Sequence, residues 1–129
     1  MSAPITGLYC ALSAVLIIAL AIRVIRLRWQ TKTGIGDGGD RRLARAIRIH
    51  GNASEYIPIA LVLMLVAELN GAGPALLHGC GIALIAARIA HAWGFNRTAG
   101  ASIGRAIGVV GTLAVMLVLA ATNIATFIR

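Results

Sequence analysis

Apolar residues gather into four long stretches, about Ile5–Leu27, Glu55–Leu69, Pro74–Phe95 and Ile103–Ile128, parted by short polar or glycine-rich breaks. A helix needs ~20 mostly apolar residues to cross the hydrocarbon core of a bilayer. The second stretch is short unless it borrows the amphipathic turns before it, RAIRIHGNASEYIP at 45–58. The pattern therefore starts helix two near Arg41. Pro58 need not end that helix, because neighbouring helices can satisfy freed backbone groups inside a membrane. Strands of alternating polarity are absent, which argues against a β-barrel. The expected fold is an all-α membrane protein, a four-transmembrane-helix bundle forming a single domain over residues 1–129.

The breaks carry their own signals. Gly71 and Gly73-Pro74 predict a tight turn between helices two and three, and 96–102 predict a loop between helices three and four. The segment GIGDGGD at 34–40 formally matches a dinucleotide fingerprint, but that fingerprint works only between a strand and a helix. A loop ending in Asp40 as the N-cap of helix two is the plain reading. Gly100, Gly104 and Gly108, with Gly111 close behind, predict a close approach between helix backbones at the start of helix four.

Composition agrees with a membrane setting: 59% of residues are hydrophobic and 12% charged, and the mean hydropathy is +0.87. The net charge of +8 raises nucleic acid as a partner, but its placement argues otherwise. Eight of the twelve Lys/Arg lie between Arg23 and Arg48, and three more are Arg88, Arg97 and Arg105. The turn between helices two and three has none. By the positive-inside rule both basic loops face the cytoplasm and both termini lie outside, with the arginines also drawn to anionic lipid. A bacterial inner membrane fits this layout. Ile5–Ile22 lacks a preceding basic residue and is followed at once by Arg23, the reverse of a cleavable signal, so it is expected to be retained as a span. The triplets at Asn52 and Asn96 resemble glycosylation sites but fall on the cytoplasmic side. Cys10 and Cys80 read as small buried apolar side chains rather than a disulfide, and no cysteine or histidine spacing predicts a metal site.

Candidate chemistry gathers at the cytoplasmic ends of the spans. At ~100° per residue, Arg41, Arg45, Arg48, Asn52 and Glu55 share an arc of roughly 80° on helix two, with Tyr56 at its border and His50 nearly opposite. On helix three, Arg88 and His91 share a face, with Phe95 one turn on. Arg105 opens helix four. Arginines near helix ends can snorkel, but a carboxylate at Glu55 has a short stem and lies beyond the basic rim. Ionisable residues inside spans face a bundle interior, a water-filled cavity or a partner charge. Arg48, Arg88 and Arg105 outnumber Glu55, so the expected guest is anionic or a zwitterion with excess negative charge. A purely structural Arg–Glu network is the competing reading. The other is a non-catalytic oligomer that binds lipid headgroups or supports a larger membrane assembly. A transporter is disfavoured by the lack of discontinuous helices or an inverted repeat. Beyond this band, Glu68 near the external turn is the main charged residue in the outer half.

At these residues the chain resembles the MAPEG superfamily, membrane-associated proteins of eicosanoid and glutathione metabolism. The resemblance rests on Arg48-x-x-x-Asn52-x-x-Glu55-Tyr56-x-Pro58, then Arg88-x-x-His91, then Arg105, and covers all four spans in order. It implies a homotrimer with glutathione as co-substrate, bound between subunits near the cytoplasmic face by Arg48, Asn52, Glu55 and Tyr56. Arg88 and His91 would complete the cationic wall, and Arg105 would stabilise the thiolate. A nearby cation lowers a thiol's pKa, and the thiolate is the nucleophile. The implied function is a glutathione-dependent transferase or peroxidase acting on lipophilic electrophiles that arrive from the membrane lipids. Phe95 and Val109 stand where some members carry tyrosine, and Gly51 where the prostaglandin-forming branch carries arginine. These departures argue against eicosanoid synthesis.

Overall fold

A computed structural model of the chain describes residues 2–97 and 103–128, with the backbone alone at 95–97. Among the described residues there are four helices and no strand: α1 (Pro4–Thr31), α2 (Arg41–Leu69), α3 (Pro74–Arg97) and α4 (Ile103–Ile128). Each is long and apolar enough to cross a membrane. The protein is thus the four-helix membrane bundle expected from the hydropathy pattern. Of the expected second loop, 98–102 lie outside the described residues, as does the side chain of Phe95.

Local chemistry sets the helix boundaries. Asp40 caps α2 as expected, its carboxylate accepting from the backbone N–H of Arg42 at 2.7 Å and Leu43 at 3.1 Å. The Arg42 side chain also bonds this carboxylate, and together these donors hold the Asp40 pKa down at about 2. α2 runs unbroken through Pro58 to Leu69. α1 ends at Lys32 in a left-handed conformation. The following loop is gathered by the Arg28 guanidinium, which donates to the carbonyls of Thr33, Gly34 and Gly36 at 3.3, 3.1 and 3.0 Å. Gly36, Gly38 and Gly39 all have positive φ, a backbone region that side chains resist.

The core lies along α2, where Ile49, Ala53, Ile57, Ala60, Met64 and Ala67 recur at helical spacing and are buried. Tyr9, Leu77, Leu84, Val115 and Leu119 pack with Ala60, Met64 and Ala67 of this stripe. α1 buries only Thr6, Tyr9 and Ser13. Its opposite face exposes Leu8, Leu12, Val15, Ile18, Ile22 and Ile25, apolar surface suited to lipid. Both cysteines are free. Cys80 is buried as the sequence reading expected, but Cys10 is exposed. The correction has a simple cause: α1 offers the bundle one narrow stripe, and Cys10 falls beside Tyr9 rather than on it.

Helices α3 and α4 meet most closely at the glycines. A Cβ on Gly108 would stand 2.7 Å from the carbonyl oxygen of Ala87 and would overlap His91. On Gly104 it would meet Ala90 O at 3.1 Å. At Gly104 and Gly108 the close approach read from the glycine spacing is present, and it lies within the subunit; Gly100 lies outside the described residues.

Candidate functional site

Near the start of α2, the expected polar stripe opens onto a cleft of about 370 Å³. Arg48, Asn52 and Glu55 line it together with Ala44, Ile47 and Gly51. These residues come together because 3.6-residue periodicity stacks positions 48, 52 and 55 on one face. Arg48 and Glu55 are exposed and Asn52 is half-buried. The cleft has a second wall that sequence reasoning missed, formed by Gly36 and Asp37 from the loop before α2. The Asp37 carboxylate accepts from Gly39 N at 2.9 Å, which fixes the turn. The glycine density and the upstream Arg28 were the available signals, but neither says where the loop comes to rest.

Arg88 stands behind this cleft rather than in its lining. It is 3% exposed, donating from Nη1 to Asn52 Oδ1 at 2.7 Å and from Nη2 to Gly108 O at 2.7 Å. Its guanidinium lies 5.9 Å from the centroid of the Tyr56 ring, within cation–π range. One buried cation thereby joins α2, α3 and α4. The Gly108 carbonyl also accepts from Thr112 Oγ1 at 2.8 Å. His91 is 4% exposed and feels the charges of both Arg88 and Arg105. Arg105 is half-buried on the first turn of α4 and does not line the Arg48 cleft.

The sequence reading expected Arg48, Arg88 and Arg105 to share one cavity and outnumber Glu55. Within one chain the cleft instead pairs a single arginine, Arg48, with the carboxylates of Asp37 and Glu55. Such a lining suits a zwitterion: carboxylates receive an ammonium, while an arginine fork receives a carboxylate. Among the described residues, no group of histidine, cysteine and acidic side chains is arranged to hold a metal.

Comparison with known proteins now decides the family. The MAPEG family model matches residues 6–125. The chain belongs to the MAPEG family. Inner membrane protein YecN of Escherichia coli strain K12 is 52% identical over 92 residues, covering 71% of this chain and 70% of that protein. The protein of the same name from Escherichia coli O6:H1 strain CFT073 matches at 52% over 92 residues as well. For this MAPEG chain the resemblance read from the helix-two motif is borne out, and with it the four-helix membrane bundle.

Proposed function

We propose that this MAPEG chain is a glutathione-dependent transferase or peroxidase acting on lipophilic electrophiles, working as a homotrimer in a bacterial inner membrane. The observation that carries the reading is the cleft where Arg48, Asn52, Glu55 and Asp37 meet. Its charges complement a peptide zwitterion: Arg48 faces a carboxylate, and Glu55 with Asp37 receives the amino group. The cleft is open on one side, where a neighbouring subunit closes it. The basic loops lie toward the cytosol, where glutathione is dissolved, and the termini lie outside. The relatives' description as inner membrane proteins supports the membrane setting.

In the proposed reaction an Arg105 side chain, brought to the cleft by the neighbouring subunit that closes it, holds the sulfur as thiolate, because an adjacent cation favours the charged form. The thiol proton passes to solvent. The sulfur then forms a bond to the electrophilic carbon of a substrate that enters from the lipid, as its leaving group departs. Tyr56 stands behind the cleft, its ring centroid 5.9 Å from the Arg88 guanidinium.

The test is a glutathione titration of the detergent-purified protein, followed by thiolate ultraviolet absorbance. Saturable binding with a thiolate band that Arg105→Ala removes is the expected result. Absence of binding at millimolar glutathione, with phospholipid phosphate retained at Arg48 after purification, would replace the enzyme with a lipid-headgroup binder.

A further inference from the structure

The hydrogen bond between Arg88 and Asn52 determines more than packing. A guanidinium carries only donors. Whatever Arg88 faces at 2.7 Å must therefore be an acceptor, so the oxygen of the Asn52 amide points at Arg88 and its NH2 points away. Arg88 cannot turn aside to release that oxygen. Its other terminal nitrogen is tied to Gly108 O at 2.7 Å, and the helix that carries this carbonyl is pressed against Ala87 and His91. Asn52 itself lines the cleft, whereas Arg88 does not.

We infer that Arg88 is a positioning residue that locks Asn52 as a dedicated hydrogen-bond donor, so that the cleft selects a ligand bearing an acceptor, a carboxylate or carbonyl oxygen, at that point. The amide would otherwise be free to flip and serve a donor or an acceptor equally. Locked, it rejects an ammonium there, because two donors would face each other. Cationic recognition is left to Glu55 and Asp37. The inference deepens the proposed glutathione site and depends on it for the identity of the ligand. The lock itself belongs to the subunit alone.

The decisive variant is Asn52→Asp, beside Asn52→Ala and Arg88→Lys. Aspartate keeps an oxygen toward Arg88 and strengthens that contact with charge, but turns a second acceptor toward the ligand. The expected result is thermal stability equal to or above the parent protein, with glutathione affinity reduced roughly tenfold to a hundredfold, as for the loss of a hydrogen bond to a charged group. Asn52→Ala should lose stability and affinity together. Arg88→Lys offers one point charge where two divergent bonds are needed, so it should weaken binding in the parent background and add nothing in the Asn52→Ala background. Additive losses of affinity would mean that Arg88 touches the ligand directly, which overturns the positioning role. An Asn52→Asp protein that binds as tightly as the parent overturns the donor assignment. If the parent protein itself binds no glutathione, the glutathione reading falls. The stability cycle between Arg88→Lys and Asn52→Ala then judges the lock alone: coupling upholds it, and simple additivity overturns it.

Discussion

The two ends of the bundle solve the same problem, polar groups within an apolar body, in opposite ways. At the end carrying Glu68, the polar groups turn toward each other. The Glu68 carboxylate accepts from the backbone N–H of Ile5 at 2.9 Å and Thr6 at 2.7 Å, so the last turn of α2 caps the first turn of α1. Tyr9 reaches the carbonyl and ring nitrogen of His78 at 3.2 and 3.1 Å, and its ring fills the space that a side chain at Gly81 would occupy. Asn123 donates to Leu63 O at 2.9 Å. At the other end, Arg48 and Glu55 face outward into an open cleft, backed by a single buried arginine. The Glu68 end pairs its carboxylate and its tyrosine within one chain, although Ser13 Oγ and Asn123 Oδ1 stay buried with no hydrogen-bond partner among the described residues. At the Arg48 end the reserve is charged and exposed, Arg48 and Glu55 both lining an open cleft, and ionisable groups held open beside an apolar surface suit a binding site better than a structural network.

The contrast can be broken at several points. The largest effect is expected from Gly108→Ala at the cleft end. The added methyl meets the Ala87 backbone and His91, neither of which is a flexible side-chain tip. Overpacking of this kind costs about 1–3 kcal/mol, read as a lowered melting temperature in detergent. It should also displace the carbonyl that anchors Arg88, so glutathione affinity should fall with stability. A Gly108→Ala protein of parental stability would show that α3 and α4 are not held in this close register.

At the closed end, Glu68→Gln leaves one acceptor oxygen where two backbone donors are waiting. Loss of one cap bond is worth about 1 kcal/mol, and the same melting experiment should show it. Glutathione affinity should not change. A change there would mean that the two ends are coupled along α2, against the division drawn above.

The smallest effect concerns the entrance to α2. The Asp40 carboxyl is held at about 2, below its ordinary 3.8, by Arg42 and by two backbone donors. A depressed carboxylate pKa gives stability that is complete above the ordinary value and is lost as pH falls through the folded one. Hydrogen-exchange protection at the Arg42 and Leu43 amides, corrected for intrinsic rates, should therefore decline between pH 4 and 2, and Asp40→Ala should remove that dependence. Protection that persists unchanged in Asp40→Ala would show that the cap does not hold the first turn.

Most of the fold was legible because hydropathy and helical periodicity act locally. The run from Ile5 could only be a span, and the arc from Arg41 to Glu55 needed nothing beyond 3.6 residues per turn. The Asp40 cap was equally plain. What escaped depended on contacts far apart in the chain. Arg88 and His91 share a face in any helix, but only the packing of α4 shows that Arg88 reaches Gly108, twenty residues on. Asp37 enters the cleft because three left-handed glycines and the Arg28 side chain fold the loop back, a path no periodicity encodes. Glu68 read as an isolated charge near a turn, since its partners are backbone amides at the other end of the sequence.

The most direct measurement of the site is a calorimetric titration of glutathione into three detergent-purified proteins: the parent, Arg48→Ala and Glu68→Gln. The expected result is saturable binding to the parent, its loss in Arg48→Ala, and parental affinity in Glu68→Gln despite that protein's lower melting temperature. Binding that survives Arg48→Ala, or none in the parent at millimolar ligand, would contradict it.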